Sequence, residues 1–228
     1  MSNSDSFIQE VTEEVRRDRL FGLMRRYGWI AVLAVLLVVG GTGWREYNKA
    51  ATRSAAQAFG DSLIAAFDHD TPEARLAALN DIPPGTPGAR VTLAFTRASE
   101  LIAAGQTTQA AEALEALATD PDVPAIYRQI AAFRAAVLQQ DLPAPDRRAR
   151  FESLAEAGGL MRLLSEEQIA LIELESGETA AALSRAGRIL ADAEATAGLQ
   201  RRMTQLIVAL GGEVPDISGA AGAGRAQE

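Results

Sequence analysis

Ala98-Ser99-Glu100-Leu101-Ile102-Ala103-Ala104-Gly105-Gln106-Thr107-Thr108-Gln109-Ala110 is the stretch of this 228-residue chain that indicates its fold. Apolar side chains at helical spacing occupy residues 89–104, and after the glycine they continue from Thr107 or Thr108 to Ala118. Gly105 is predicted to close the first helix in a left-handed conformation, which glycine adopts without steric cost. The stretch therefore predicts two neighbouring helices joined by a tight turn.

The same pattern of two helices joined by a glycine turn is repeated around Gly177, 72 residues further along the chain. A small residue lies seven positions before each glycine and another lies five positions after it: Ala98 and Ala110, then Ala170 and Ala182. Two helices that cross closely need small side chains where they touch, because protein interiors are close-packed. Glu173 departs from the pattern, since it stands where the first unit has the large apolar Leu101.

This pattern resembles a degenerate array of tetratricopeptide repeats, helix–turn–helix units with a period of about 34 residues. Asp141 lies halfway between the two glycines, in a further predicted turn. The early tryptophan of that repeat is absent, and Leu142–Pro145 interrupts the middle unit. The alternative is an irregular helical bundle, because alanine-rich helices match small-residue positions easily.

The predicted fold class is all-α: a single N-terminal transmembrane helix followed by a degenerate array of tetratricopeptide-like helical hairpins. The helical domain is assigned to residues 45–211, where no strand-type alternation is visible, and residues 212–228 are predicted to be a disordered tail. Within the domain, Asp146 and Ser165 are predicted to be N-caps, and Gly158-Gly159 is predicted to stop a helix.

Residues 27–44 carry no charged side chain and are predicted to cross a membrane as one helix. At about 1.5 Å per residue this segment covers roughly 27 Å, close to the ~30 Å hydrocarbon core of a bilayer. A buried core helix and a cleaved signal peptide are the alternatives, but the segment lacks a polar face and no small-x-small cleavage site follows it. Six residues near its ends are predicted membrane-interface anchors: Arg25, Arg26, Tyr27, Trp29, Trp44 and Tyr47.

The distribution of basic residues predicts the orientation of this segment. Residues 1–26 contain five arginines, whereas the flank beyond residue 44 contains three basic side chains, Arg45, Lys49 and Arg53. Since the more basic side stays in the cytoplasm, the head, residues 1–26, is predicted to be cytoplasmic and the helical domain to be exported.

Composition argues against several classes of function. The chain has a net charge of −8 and no cysteine, so nucleic acid is an unsuitable partner and thiol chemistry is excluded. His69, the only histidine, is predicted to be an exposed loop residue, because one short loop supplies too few metal ligands. The carboxylates Glu166-Glu167 and Glu173/Glu175 and the cluster Arg147-Arg148-Arg150 are predicted to be solvated faces. No enzyme activity, cofactor or metal is therefore predicted.

The head carries Phe7, Ile8, Val11 and Val15 along one helical face, and Arg26-Tyr27-Gly28 precedes the span. Head, single anchor and degenerate repeats together resemble the bacterial ancillary Sec-translocon subunit family, the YfgM-like tetratricopeptide proteins. The resemblance implies a single-pass inner-membrane protein with a periplasmic repeat domain. It also implies partners, namely the Sec translocon and a membrane-anchored periplasmic chaperone of the peptidyl-prolyl isomerase type, but no catalytic residues.

A binding surface lined by the first helix of each repeat is predicted to take an extended peptide or a partner helix. Its candidate residues are Arg90, Arg97, Arg128 and Arg134. Two other functions stay open at this point: a scaffold for another envelope assembly, such as cell division or cytochrome maturation, and the holding of a cytoplasmic regulator by the head. The sequence makes no prediction of self-association.

Overall fold

The computed structural model describes residues 3–215, and within residues 3–34 it describes side chains only at positions 25, 26, 29, 30 and 33. The predicted amphipathic face of the head and residues 216–228 of the predicted disordered tail lie outside these described residues. The chain divides into two compact units, residues 1–58 and residues 59–228.

The part of the chain that the structure describes consists of α-helices and contains no strand. The all-helical prediction is therefore confirmed. The helices are α1 Asn3–Phe67, α2 Pro72–Asn80, α3 Pro87–Ala103, α4 Thr107–Thr119, α5 Ala125–Leu138, α6 Ala144–Ala155, α7 Gly159–Glu175, α8 Thr179–Leu190 and α9 Ala197–Ala209.

The first unit contains the part of α1 before residue 59, and residues 59–67 of this helix belong to the second unit. Helix α1 continues without interruption through the predicted boundaries at residues 26 and 44. Among the side chains that are described, no helix has both the length and the apolar character needed to cross a membrane.

The second unit is built from consecutive helices that pack against their neighbours in the chain. We call α3–α4 the first hairpin, α5–α6 the middle hairpin and α7–α8 the third hairpin. Four small clusters of buried apolar side chains hold the unit together, rather than one large core. Alanine is frequent in them because close helix crossings leave little room for larger side chains.

The turn glycines of the first and third hairpins behave as the sequence predicts. Gly105 has φ of +74° and Gly177 has φ of +79°. At each turn the residue after the glycine donates its N–H to a carbonyl five positions back, from Gln106 to Leu101 at 2.8 Å and from Glu178 to Glu173 at 2.7 Å. The glycine itself donates to a carbonyl three positions back, which completes a Schellman motif at each turn.

Two predicted helix starts are wrong. Helix α7 begins at Gly159, because Gly158 adopts φ of +75° and reverses the chain, so Ser165 lies in the interior of the helix and is fully buried. Helix α6 begins at Ala144 after Pro143, and Asp146 lies in its first turn instead of capping it. The conformational freedom of Gly158 decided the first boundary and the fixed φ of Pro143 the second, rather than a capping side chain.

The middle hairpin packs differently from the other two. Its helices meet at Phe133 and Phe151, whose ring centroids are 5.8 Å apart in an edge-to-face arrangement. The first hairpin has Ala98 and Ala110 at its crossing, and both are fully buried. Aromatic side chains at the crossing keep α5 and α6 further apart than alanines would, so α6 makes its main contacts with α7.

Candidate protein-interaction site

The two glycine-turn hairpins share one internal register. Ala98, Ala110, Ala170 and Ala182 are all fully buried, as the repeat pattern predicts. Each pair has one alanine on the first helix and one on the second helix of a hairpin whose two helices pack together, so we infer that the pair lies at their crossing. The small residues thus bring the backbones together, and the side chains around them are free to carry other contacts.

Three of the four candidate arginines hold the fold together through backbone carbonyls or ion pairs. Arg97 donates from Nη2 to the carbonyl of Leu79 at 2.8 Å, which satisfies the end of α2, and burial lowers the pKa of its guanidinium. Arg128 donates to the carbonyl of Val123 at 2.7 Å. Arg90 pairs with Asp120 at 3.2 Å.

The fourth candidate, Arg134, lies over the ring of Phe95, with its guanidinium carbon 5.5 Å from the ring centroid. This cation–π contact joins α5 to α3, the first helices of two successive hairpins. The structure therefore does not bring the four arginines together as one cluster, and each has an intramolecular partner. Their role in binding stays a prediction.

An apolar groove that the sequence did not reveal runs along α5, between α4 and α6. Its floor is formed by small residues of α5, including Ala125, Ala132 and Ala136. Ala118 of α4 and Leu154 of α6 form its walls. Its widest part encloses about 370 Å³, room for a few apolar side chains.

A cluster of three polar side chains lies at the α5 C-terminal end of this groove. Arg150 donates to Glu115 at 2.9 Å, Gln139 donates to the same carboxylate oxygen at 2.7 Å, and Arg150 also donates to Gln139. We call these three residues the clamp. Hydrogen bonds from Arg150 and Gln139 lower the pKa of the Glu115 carboxyl, so the clamp is charged at neutral pH.

Of the four carboxylates that were expected on a solvated face, Glu175 is exposed, but the other three are buried or partly buried and paired. Glu173 is only 3% exposed and accepts two hydrogen bonds from Arg185, at 2.7 and 3.0 Å. Arg185 also pairs with Glu166. Glu167 accepts two hydrogen bonds from Arg202 of α9, at 2.6 and 2.7 Å. The prediction of a solvated face is therefore wrong for these residues, because their partners on α8 and α9 were not recognised.

The arginine cluster of α6 also makes tertiary contacts. Arg147 pairs with Glu175 at 2.7 Å and Arg148 pairs with Glu178 at 2.9 Å, so these two arginines fasten α6 to the third hairpin, whereas Arg150 belongs to the clamp. The prediction of a solvated face is wrong for Arg147, whose side chain is only 11% exposed. His69 is exposed, as predicted, and its carbonyl accepts a hydrogen bond from Arg75. Within the described residues, no group of acidic and histidine side chains is arranged to hold a metal ion.

Successive helical hairpins, buried alanines at their crossings and left-handed glycine turns define a helical-repeat protein. The family model described as a tetratricopeptide repeat-like domain matches residues 25–151, more than half of the chain, and the chain belongs to this family. No curated protein and no solved structure is significantly similar to the chain. Domains of this kind typically serve as protein-interaction scaffolds, whose extended surfaces bind partners.

Proposed function

We propose that this protein is a membrane-anchored interaction module that assists exported chains as they pass from the Sec translocon to a periplasmic chaperone. Family membership supports the interaction role. The resemblance of head, anchor and repeats to ancillary translocon subunits supports the choice of partners. The proposed location is the bacterial inner membrane, with the head in the cytoplasm and the repeats in the periplasm.

The observation that supports the proposed membrane anchor is that large apolar side chains are exposed around the whole circumference of α1 at residues 35–39. Val35, Leu36, Leu37, Val38 and Val39 are consecutive and each is at least 60% exposed. Five consecutive residues cover every direction around a helix, because each advances by about 100°. A helix that is apolar on all sides needs an apolar surrounding, and the lipid core of a bilayer supplies it.

The α5 groove supports binding of an unfolded segment. It is lined by alanines along about 16 Å of helix, from Ala125 to Ala136, the length of roughly five extended residues. Its small side chains leave space for larger apolar side chains of a partner. A membrane anchor would hold this groove beside the translocon exit and raise the effective concentration of the groove there.

Photocrosslinking in living cells tests the proposal. A p-benzoylphenylalanine at the exposed groove residue Ser153 should form adducts with translocon subunits, periplasmic chaperones or exported chains. The matched control carries the same residue at Ala181, an exposed position on α8 outside the groove, and should give far fewer adducts. Adducts with division or cytochrome-maturation proteins at Ser153 would favour another envelope assembly and contradict the Sec role.

A topology reporter tests the orientation separately. A periplasmic reporter enzyme fused after Gly212 should be active, and a reporter that is active only in the cytoplasm should not. The reverse result would overturn the proposed location. Retention of all partners by residues 1–26 alone would instead show that the head holds a cytoplasmic regulator.

A further inference from the structure

A row of basic side chains follows the apolar segment of α1. Arg45, Lys49 and Arg53 are spaced by four residues, so they lie along one face of the helix. They line a shallow concavity together with Trp44, Asn48 and Thr52. We call these six residues the collar.

The collar keeps a net positive charge. Its nearest acidic neighbour is Glu46, which lies 3.7 Å from Lys49 and 4.0 Å from Arg53, in pairs that are largely exposed to solvent. Exposed pairs of this kind are weak, so both cations stay available to another anion. No further acidic residue occurs before Asp61.

The charge of the collar contrasts with that of the chain beyond it. Residues 45–53 hold three basic side chains and one acidic side chain, a net charge of +2. Residues 54–228 hold 14 basic and 24 acidic side chains, a net charge of −10. Positive charge is therefore concentrated next to the apolar segment, although the helical domain that follows is strongly acidic.

The geometry of a helix directs these side chains towards the apolar segment. Every Cα–Cβ bond is tilted towards the helix N-terminus, and the basic residues of the collar lie directly C-terminal to residues 27–44. Long basic side chains that lean this way bring their charged groups to the level of the lipid phosphates. Trp44 and Tyr47 are about 70% exposed at the same level, where aromatic rings favour the membrane interface.

We propose that the collar binds the headgroups of anionic phospholipids, with phosphate oxygens accepting hydrogen bonds from Arg45, Lys49 and Arg53. The side-chain amide of Asn48, between the cations, is an additional donor to the same headgroup, whereas the Thr52 hydroxyl donates to the Asn48 carbonyl at 2.9 Å. This inference rests on the proposed membrane anchor. It adds a lipid preference that an apolar helix alone would not have, because apolar side chains do not distinguish one headgroup from another.

Fluorescence quenching by brominated lipids tests the proposal on the full chain. The protein has two tryptophans, so Trp29→Phe leaves Trp44 as the only tryptophan in the collar. The variant is placed in phosphatidylcholine vesicles that contain either brominated phosphatidylglycerol or brominated phosphatidylcholine at equal fraction. We expect brominated phosphatidylglycerol to quench Trp44 with about fivefold greater apparent affinity, the factor that one membrane-proximal basic residue provides.

Matched variants identify the source of this preference. Arg45→Gln/Lys49→Gln/Arg53→Gln should make the two lipids equally effective, whereas Glu46→Gln should increase the preference for phosphatidylglycerol. High salt should reduce the preference in the parent, because exposed charges are screened. Circular dichroism confirms that each variant keeps its helix content.

The outcomes separate this inference from the function on which it rests. Equal quenching by both lipids in the parent would overturn the collar proposal and leave the membrane anchor intact. Preferential quenching that survives the triple substitution would also overturn it. Absence of quenching by either lipid would overturn both the collar and the anchor.

Discussion

The first and third hairpins share a backbone arrangement but hold it with different chemistry. Both end their first helix at a left-handed glycine, and both have fully buried alanines at the crossing. Around this common frame, Ala94, Leu101 and Ala113 of the first hairpin correspond, 72 residues later, to an ionic triad of the third. The triad consists of Glu166, Glu173 and Arg185.

The contact to the following helix differs in the same way. Ten positions before each turn glycine lies Phe95 in the first hairpin and Glu167 in the third. Phe95 contacts Arg134 of α5 through its ring, whereas Glu167 binds Arg202 of α9 through two hydrogen bonds. The comparison teaches that the turn glycine and the alanines at the crossing define the hairpin. The positions around them can make either apolar or ionic contacts without changing it.

The largest effect is expected from removing the cation of the triad. Arg185→Ala leaves Glu173 buried without a counterion, and breaking a partly buried pair of this kind costs about 3 kcal/mol. Urea unfolding of the full chain in detergent, followed by circular dichroism, measures the loss. Arg188→Ala on the exposed face of the same helix is the control and should change the free energy of unfolding by less than about 0.5 kcal/mol.

A second variant shows whether the triad can be replaced by the chemistry of the first hairpin. Glu166→Ala/Glu173→Leu/Arg185→Ala gives the third hairpin the corresponding residues of the first. Because apolar residues often replace a buried ionic group without loss, stability should return to within about 1 kcal/mol of the parent. A triple variant as unstable as Arg185→Ala would show that the two hairpins are not equivalent in packing.

The turn glycines should be needed equally in both hairpins. Gly105→Ala and Gly177→Ala each force a side chain into a left-handed conformation, at a cost of about 1–2 kcal/mol. Gly85→Ala serves as the control, because that residue lies in a loop with open space around it and does not have positive φ. Thermal unfolding of the three variants measures the effect, and an unchanged midpoint for either turn variant would contradict the shared frame.

A smaller effect of opposite sign is expected at Ser165, the counterpart of Leu93. The Ser165 hydroxyl is fully buried and has no hydrogen-bond partner. Ser165→Ala removes this unsatisfied group and should stabilise the chain by about 1 kcal/mol. Leu93→Ala, the matched change in the first hairpin, should destabilise it by about 3 kcal/mol, since Leu93 is buried apolar volume. The denaturation midpoints of the two variants should shift in opposite directions, and a lower midpoint for Ser165→Ala would contradict the prediction.

Lowering the pH should destabilise the third hairpin, because Glu173 becomes protonated. Hydrogen bonds from Arg185 lower the pKa of this carboxyl against the opposing effect of burial. Its stabilising contribution is therefore complete above its unfolded pKa of about 4.5, and it is lost as pH falls through the lower folded value. Glu173→Gln should flatten the decline in stability below pH ~4.5, and a decline identical to that of the parent would contradict this assignment.

The sequence predicts those parts of the fold that depend on single residues. A glycine that must be left-handed and an alanine that must be small are visible without knowledge of partners, so Gly105, Gly177 and the four alanines are predicted correctly. Ser165 is misread because serine is a frequent N-cap, whereas the chain reversal at Gly158 sets the helix start.

The charged contacts and the groove depend on more than one helix. Glu173 lies four residues before the turn glycine and Arg185 eight residues after it, so opposite charges on facing helices could have revealed the pair. The groove could not be found this way, because it results from the separation of α4 and α6 along α5. The placement of α6 against α5 involves the packing of Phe133 against Phe151, which residue spacing does not specify.

The clamp formed by Arg150, Gln139 and Glu115 gives the α5 groove a direction. One end carries the clamp, whose charged and amide groups satisfy each other, while the other end is lined by Ala125, Arg128 and Gln129. Because the two ends differ in chemistry, a bound segment would lie in the groove in a preferred orientation.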